Sequence, residues 1–231
     1  MIVFDGVSLE SIGNINVEDV TVSPIALNPV ARQRAIRFGA EFVRVVGGER
    51  TVTINVYILD SDAVTREQTF AALKMWAKSD KEYKLELPDE PNKYLMCVCT
   101  QKPTKAVRKW WERLTLVFTC ISDPYFISKG EKSVSCGTEF VALGDAPPKM
   151  RIERTLTGSA SNQSYSNGSE AMTFSTIPAG NMVIDLEKQT AVVGNTDIMQ
   201  YYQPSGRFII PKAGRQTITG TGTVKYRERW E

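Results

Sequence analysis

Strict alternation of apolar and polar side chains is the clearest pattern in the chain, and it appears first between residues 51 and 58. Val52, Ile54, Val56 and Ile58 fall at every second position, with polar or aromatic residues between them. Because successive side chains of a strand point to opposite faces, the pattern predicts a strand buried on one face. Shorter apolar or alternating segments predict further strands at 2–4, 7–12, 83–87, 94–99 and 114–120.

Turn sequences and one helical segment connect these strands. Asp5-Gly6 and the segment 88–92 contain the residue types of tight turns, so each predicts a hairpin. Apolar residues recur at helical spacing from Phe70 to Ala77, and Asp62 can cap the amino terminus of that segment. The sequence therefore predicts one amphipathic helix, packed on the sheet, that runs up to Ser79-Asp80.

The segment from Pro24 to Gly48 lacks a regular pattern and is rich in arginine. Its proline and glycine residues interrupt regular structure, and its charged side chains keep it out of the core of its own domain. We therefore predict a long loop or projecting arm, ordered by contact with a neighbouring subunit. Arginine and aromatic side chains are favoured at protein interfaces. The candidate oligomer-interface residues are Arg32, Arg34, Ile36, Arg37, Phe38, Phe42 and Arg44.

The polar, glycine-containing segment Lys129–Lys132 divides the chain. We predict one domain over residues 1–128 and a second over residues 132–231. The second domain has no convincing helical pattern and alternates short apolar segments with turns, which predicts an antiparallel β-sandwich. Its expected strands include 150–152, 172–174, 182–186, 208–210 and one Thr-rich strand over 216–226, and a polar loop is expected over 157–170.

The chain contains no histidine, and its formal net charge is only +2 at pH 7. The lack of histidine excludes Ser/His/Asp and Cys/His catalysis and removes the commonest zinc ligand. The small net charge argues against a chain that clamps nucleic acid through a basic surface. We expect no enzyme activity, no cofactor and no export signal or membrane segment, since no apolar run approaches the roughly 18 residues of a spanning helix.

Carboxylate chemistry is one enzyme class that remains, because glycosidases use paired acids rather than histidine. Glu153, Asp185 and Glu187 are the candidate acids. Asp185 and Glu187 lie two residues apart, and hence on one face of a strand, but ordinary solvent-facing acids have the same spacing. We favour a solvated sheet face over a catalytic pair.

The four cysteines, Cys97, Cys99, Cys120 and Cys136, are expected to be free thiols. Cys97 and Cys99 share one face of a predicted strand, and their spacing differs from the Cys-x2-4-Cys pairs of structural zinc sites. We interpret both as small buried apolar residues.

Tyr201-Tyr202 lies in a loop-like segment of the second domain. Exposed aromatic residues of β-sandwiches commonly stack on sugars, so these two residues are candidates for contact with a glycan or a protein partner. One function that these residues allow is therefore that of a carbohydrate-binding module for host cell-wall glycans.

The order and spacing of four segments carry a resemblance to a known family. They are the strand 48–54, the helical segment Leu73-Lys74-Met75-Trp76, the hairpin 85–94 and the carboxy-terminal segment Val224–Trp230. Together they resemble the distal tail protein of bacteriophages with long, non-contractile tails, over essentially the whole chain. None of these segments is specific to the family by itself.

The resemblance implies a structural virion protein of the phage tail tip, made in the cytoplasm of the bacterial host. Its amino-terminal domains form a hexameric ring around a channel through which DNA passes without being recognised by sequence. The ring joins the tail tube protein to tail-associated, tail-tip and receptor-binding proteins. The implied fold class is mainly β: a β-sandwich-like amino-terminal domain with one packed α-helix and a projecting arm, then a galectin-like antiparallel β-sandwich. The resemblance does not transfer sugar binding to the second domain.

Overall fold

The computed structural model describes residues 1–33, 40–103, 113–203 and 206–231, and for 27–33 and 40–47 it describes the backbone. Strands dominate these residues, which confirms the mainly β fold class. The chain divides into two compact units. Unit 1 comprises residues 1–126 together with residue 231, and unit 2 comprises residues 127–230.

Unit 1 is built on one antiparallel sheet and one α-helix. Its sheet has the strand order β3-β6-β9-β8-β7-β1-β2. The elements are β1 (Val3–Phe4), β2 (Val7–Ser8), β3 (Ile15–Val22), β4 (Leu27–Gln33), β5 (Ala40–Gly47), β6 (Arg50–Ile58), α1 (Ala63–Trp76), β7 (Tyr83–Glu86), β8 (Lys93–Gln101) and β9 (Arg113–Cys120).

The alternating segment at 51–58 forms β6, as predicted, in the middle of the β3–β6–β9 ladder. The four apolar side chains of its predicted buried face are at most 2% exposed. Asp5 and Gly6 both have positive φ, 51° and 76°, as a tight two-residue hairpin turn requires. The predicted hairpin between β1 and β2 is therefore confirmed, but β2 ends at Ser8 and a 3₁₀ turn, Leu9–Ser11, replaces the rest of the predicted strand.

The predicted helix is present as α1 and packs its Phe70, Leu73 and Trp76 into the core of unit 1. Its amino terminus is capped as expected, since the Asp62 carboxylate accepts a hydrogen bond of 2.8 Å from the backbone N–H of Thr65. The helix ends at Trp76, earlier than predicted. The ψ angle at the next residue turns the backbone out of the helix there.

The prediction of a long loop between Pro24 and Gly48 is wrong for most of that segment. Strands β4 and β5 pair antiparallel from Leu27 with Gly47 to Gln33 with Ala40. Strand pairing satisfies backbone groups whatever the polarity of the side chains. Proline, which has no N–H to donate, is tolerated at Pro29 because, in the part of the chain that the structure describes, β4 has a partner strand on one side only. Residues 34–39 lie outside the described residues.

Unit 2 is a two-layer antiparallel β-structure. One layer has the strand order β18-β17-β16-β13-β20-β11, and the other contains the pairs β12–β19 and β14–β15, joined by a bridge between Ser166 and Thr219. The strands are β10 (Phe126–Ser128), where the division between the units falls, β11 (Lys132–Ser135), β12 (Glu139–Ala142), β13 (Ala146–Leu156), β14 (Ala160–Ser166), β15 (Ala171–Ile177), β16 (Gly180–Asp185), β17 (Thr190–Val193), β18 (Thr196–Asp197), β19 (Gly214–Thr217) and β20 (Thr223–Trp230).

One hydrophobic core lies between the layers of unit 2, with Ile152 and Ile184 from the first layer and Met172 and Phe174 from the second. The predicted sandwich is therefore present, but three local predictions are wrong. The polar loop at 157–170 contains β14, which buries Tyr165. The single strand at 216–226 is two strands, β19 and β20, and the segment 208–210 is not a strand.

The segment at the start of unit 2 is bound to strands β13 and β20. The guanidinium of Arg227 donates to the backbone oxygens of Ser128, at 3.1 Å, and of Lys129. Arg151 holds the carboxylate of Glu131 through two hydrogen bonds of 2.8 and 2.9 Å. The backbone N–H of the buried Glu228 donates to the hydroxyl of Ser128 at 3.1 Å.

Candidate functional site

The sheet of unit 1 has an open edge at β3. This strand is eight residues long and pairs with β6 on one side, and on its other side no strand of the described residues pairs with it. Its apolar side chains are half-buried rather than buried: Ile15, Val17, Val20 and Val22. A long, unpaired edge with apolar side chains is a template on which a strand of another chain can pair.

The strand pair β4–β5 continues the ladder of β3 and β6. The backbone N–H of Ser23 donates to the oxygen of Thr51 at 2.9 Å, and that of Ala26 donates to Glu49 at 3.1 Å. Gly48 N–H donates in turn to Ala26 at 2.6 Å, directly before β4 and β5 begin to pair. A two-stranded ribbon is at best marginally stable by itself, so contacts beyond the ribbon are needed to hold it in one conformation.

Three of the candidate interface residues belong to this ribbon. Arg32 lies in β4, opposite Glu41 of β5, while Phe42 and Arg44 lie in β5. The structure therefore brings Arg32, Phe42 and Arg44 onto one paired element. The other candidates fall outside the described residues: Arg34, Ile36, Arg37 and Phe38.

An apolar groove of about 420 Å³ lies elsewhere in unit 1, between the β1–β2 hairpin and α1. Phe4 and Trp76 form its base, and the indole N–H of Trp76 donates to the backbone oxygen of Val7 at 2.9 Å. Met75 on its rim is 79% exposed. The sequence predicts the helix but not this groove, because the 3₁₀ turn that forms part of its wall replaces a predicted strand.

The three candidate acids of unit 2 have structural partners rather than a catalytic arrangement. Glu153 binds Lys225 at 2.7 Å and Arg151 at 2.6 Å, and hydrogen bonds from these two residues hold its pKa below the usual value. A carboxyl group with a lowered pKa is a poor general acid near neutral pH. Asp185 accepts hydrogen bonds from the backbone N–H groups of its own turn, and Glu187 binds the guanidinium of Arg229.

Tyr201 and Tyr202 both pack partly against the core of unit 2. The ring of Tyr202 contacts Phe174 and Phe208, with centroid distances of 5.8 and 5.7 Å, and its hydroxyl donates to the backbone oxygen of Gly206 at 2.6 Å. Tyr201 ends a short 3₁₀ turn, and its backbone oxygen accepts a hydrogen bond from Ser175. With these contacts, the half-buried ring of Tyr202 offers little free face on which a sugar could stack.

All four cysteines are free thiols; Cys97, Cys99 and Cys120 are buried, and Cys136 is partly exposed. The sulfur atoms of Cys97 and Cys120 lie 2.7 Å apart. Sequence reasoning treated Cys97 with Cys99, its neighbour along the strand, and missed Cys120, its neighbour across the sheet. The matching alternation of apolar residues in 94–99 and 114–120 is the pattern that could have pointed to this contact.

Over the described residues, no helix combines the length and apolarity needed to cross a membrane. In the same residues, no three side chains of the types that bind metals come together.

The fold has a close counterpart among solved structures. The chain is similar to the Dit protein (gp 19.1) of phage SPP1, described as a paradigm of the hub of the adsorption apparatus in phages that infect Gram-positive bacteria. The TM-score is 0.78 at 17% identity, and the likeness covers 100% of this chain and 98% of that chain. At this identity the likeness establishes a shared fold.

Two structures of the baseplate of phage p2, in its activated conformation with strontium or calcium, are more distant. Their TM-scores are 0.46 and 0.47, at 10% and 11% identity, and each match covers 94% of this chain and 91% of the other. No protein-family model and no curated protein matches the sequence. The chain thus shares, over its whole length, the fold of the SPP1 Dit protein.

Proposed function

We propose that this chain is a structural protein of a phage tail tip, in which it forms a hexameric ring that joins the tail tube to the host-attachment proteins. The observation that supports the proposal is the fold, since both units, in order, are similar to the SPP1 Dit protein over 100% of this chain and 98% of that chain. Fold alone does not fix function, so the surfaces of unit 1 have to support the assembly independently.

The open edge of β3 is the first surface that supports an assembly. A neighbouring strand that paired with it would satisfy a row of backbone groups and cover the four half-buried apolar side chains. Such an interface joins two different surfaces of neighbouring subunits and is therefore heterologous. Repeated around an axis, it closes into a ring when a whole number of subunits completes one full rotation.

The β4–β5 ribbon is the second surface. It extends the same ladder, carries Arg32 and Arg44, and needs contacts from outside itself to be ordered. We assign those contacts to a neighbouring subunit, with Phe42 and the candidate residues at 34–39 as anchors. In this arrangement unit 1 surrounds the channel for DNA, and unit 2 is free to contact the tail-tip or receptor-binding proteins.

The first test is the mass of the purified chain in solution, measured by light scattering and native mass spectrometry, with electron microscopy of the particles. A closed ring of six chains with a central opening is expected. Because a ring can require its partners to close, the chain is also to be located in purified virions of the phage that encodes it, by labelled antibody. Monomers in solution together with no label at the tail tip would overturn the proposal.

Glycan binding by Tyr201 and Tyr202 is less well supported, because the ring of Tyr202 already contacts Phe174 and Phe208. Saturable binding of host cell-wall glycans, lost in Tyr202→Ala while unit 2 stays folded, would favour that alternative. Binding that persists in Tyr202→Ala would place the glycan elsewhere.

A further inference from the structure

Two thiols face each other across adjacent strands in the core of unit 1. The β8–β9 ladder pairs Val98 with Thr119, so the next position of the register places Cys97 opposite Cys120. Directly opposite residues of antiparallel strands have Cα atoms about 4.5–5.5 Å apart. A disulfide spans Cα distances of about 4.4–6.8 Å, so the backbone can accept one here without rearrangement.

We propose that Cys97 and Cys120 are a site of oxidation, at which a low-molecular-weight disulfide converts the two thiols into a cross-strand disulfide between β8 and β9. The sulfur atoms are already in contact, at 2.7 Å, with both side chains fully buried. Cys99 is excluded by the register, since it lies opposite Phe118 and its sulfur contacts the backbone oxygen of Gln101. The pairing is therefore selective.

The chemistry balances with oxidised glutathione as the oxidant. One cysteine thiolate attacks the glutathione disulfide, which forms a mixed disulfide and releases one glutathione thiolate. The second cysteine then attacks the protein sulfur of the mixed disulfide and releases the other glutathione. The two protons lost by the cysteines are taken up by the two glutathione thiolates. The protein loses two electrons, and one oxidised glutathione becomes two reduced ones.

Burial controls the rate of this reaction. The apolar surroundings, followed by the contact with Cys120, raise the pKa of the Cys97 thiol. The thiolate is the nucleophile, and neither sulfur is accessible in the closed sheet, so oxidation waits for local opening of the β8–β9 ladder. Reduction of the bond is slow for the same reason. The chain thus folds with both thiols reduced and, once oxidised, keeps the bond. This chemistry is independent of whether the chain assembles into a ring.

The bond would also stabilise unit 1. It closes a loop of roughly 20 residues between β8 and β9, which restricts the unfolded chain. For a protein of this size we expect the thermal unfolding midpoint of unit 1 to rise by roughly 5–10 °C.

The test uses the full chain, purified in reductant and then incubated with oxidised glutathione, with and without a low, non-denaturing concentration of urea. Remaining thiols are blocked with N-ethylmaleimide under denaturing conditions, and the intact mass is measured. The expected product has lost two hydrogen atoms and carries two maleimide groups, where the reduced chain carries four. Urea is expected to accelerate the reaction, because it favours local opening.

Matched variants assign the bond. Cys97 and Cys99 fall in the same tryptic peptide, which begins after Lys93 and runs to Lys105 because trypsin does not cleave before Pro103. The peptide map is therefore made on Cys99→Ser. Oxidation should persist in Cys99→Ser and Cys136→Ser and disappear in Cys97→Ala and Cys120→Ala.

Three results would overturn the proposal. The first is four reactive thiols in a chain whose β8 and β9 amides have already exchanged their hydrogens, which shows that the ladder opened without oxidation. The second is a protein disulfide that involves Cys99 or Cys136, and the third is a glutathione adduct on Cys97 or Cys120 that never resolves. If Cys97→Ala fails to fold, the intact mass of the unmodified chain and the map of Cys99→Ser still decide between these outcomes.

Discussion

The outer strands of the two units differ in how their edges are treated. In unit 1, β3 presents eight residues of backbone that no strand of the described residues covers on its outer side. In unit 2, β18 has two residues and β12 has four. The longer β15 is covered on its outer side. There the backbone N–H of Gln203 donates to the backbone oxygen of Thr173 at 2.8 Å, and Tyr202 forms an isolated antiparallel β-bridge with Phe174.

Short or covered edges prevent one sheet from pairing with another. The edges of unit 2 named above follow this rule, whereas unit 1 leaves the eight-residue edge of β3 beside a ribbon that also needs support. The contrast agrees with the proposed assembly, in which unit 1 forms the ring and unit 2 folds independently of it.

The largest effect is expected when the ribbon is removed. Replacing residues 26–46 by a short Gly-Ser linker should convert a ring of six chains into monomers, because the proposed intersubunit contacts are lost. The sheet core of unit 1 should survive, since a longer or shorter surface connection changes stability little. Light scattering measures the mass, and circular dichroism with thermal melting checks the fold. A ring that persists in this variant would show that the ribbon is not the interface.

A proline on the outer side of β3 should weaken assembly by at least about tenfold while it changes the fold little. The backbone N–H of Ser23 points to β6, where it donates to Thr51. Because N–H groups along an antiparallel strand point alternately to its two sides, the N–H of Thr21 also points to β6 and that of Val20 points to the open edge. Val20→Pro therefore removes a donor that only a neighbouring strand would use.

Thr21→Pro is the matched control, because it removes a bond inside the sheet and should lower the free energy of unfolding of unit 1 by about 1–3 kcal/mol. The concentration dependence of the mass and urea unfolding separate the two effects. Equal assembly by Val20→Pro and the unchanged chain would exclude pairing at this edge.

A glycine in unit 2 provides the converse experiment. Gly144 has φ +111°, and a Cβ there would lie 2.0 Å from the backbone oxygen of Arg229. Gly144→Ala should lower the free energy of unfolding of unit 2 by about 2–4 kcal/mol and leave the ring mass unchanged below the transition. Gly158→Ala, where no atom lies within 4 Å, is the control. Loss of the ring in folded Gly144→Ala would mean that unit 2 contributes to assembly.

The smallest effect concerns the charged face of unit 2. The pKa of Glu153 is lowered by Lys225 and then by Arg151, so its stabilising contribution is present above the unfolded pKa of about 4.3 and is lost as the pH falls through the lower folded pKa. Glu153→Gln should destabilise unit 2 by about 0.5–1 kcal/mol at pH 7 and by almost nothing in acid.

Urea unfolding across the pH range measures the effect of Glu153→Gln. The control is Glu139→Gln, which removes an exposed pair with Arg215 and should change nothing. A penalty for Glu153→Gln that is the same at every pH would show that packing, rather than charge, is responsible.

Sequence patterns correctly predicted those strands, caps and turns that depend on residues close together along the chain. The alternation in β6, the Asp62 cap of α1 and the Asp5-Gly6 turn each depend on a few neighbouring residues, and each is present. Polar strands were missed because strand pairing depends on backbone groups, which every residue has, whereas the prediction depended on apolar side chains. β14 alternates Ser, Asn and Gln around Tyr165, and the hydrophobic pattern of such a strand resembles that of a loop.

The candidate surfaces depended on information that the sequence does not carry locally. An edge strand and a central strand can have the same alternation of apolar and polar residues. The open side of β3 can therefore be identified only from the pairing of the other strands. The same applies to Cys97 and Cys120, which are 23 residues apart along the chain and meet only through the register of β8 and β9. The arginine-rich composition of residues 24–48 led us to predict a loop or arm, and so the pairing of β4 with β5 was missed.

The bound segment at the start of unit 2 has a practical consequence for producing this unit alone. A fragment that began at Lys132 would lack Ser128, whose hydroxyl accepts from Glu228, and Glu131, whose carboxylate is held by Arg151. Arg227 would lose both of its carbonyl acceptors. Arg151 and Arg227, left behind on β13 and β20, would then lose acceptors that they have in the full chain. An expression fragment should therefore begin upstream of Ser128, where its first residues complete the sheet.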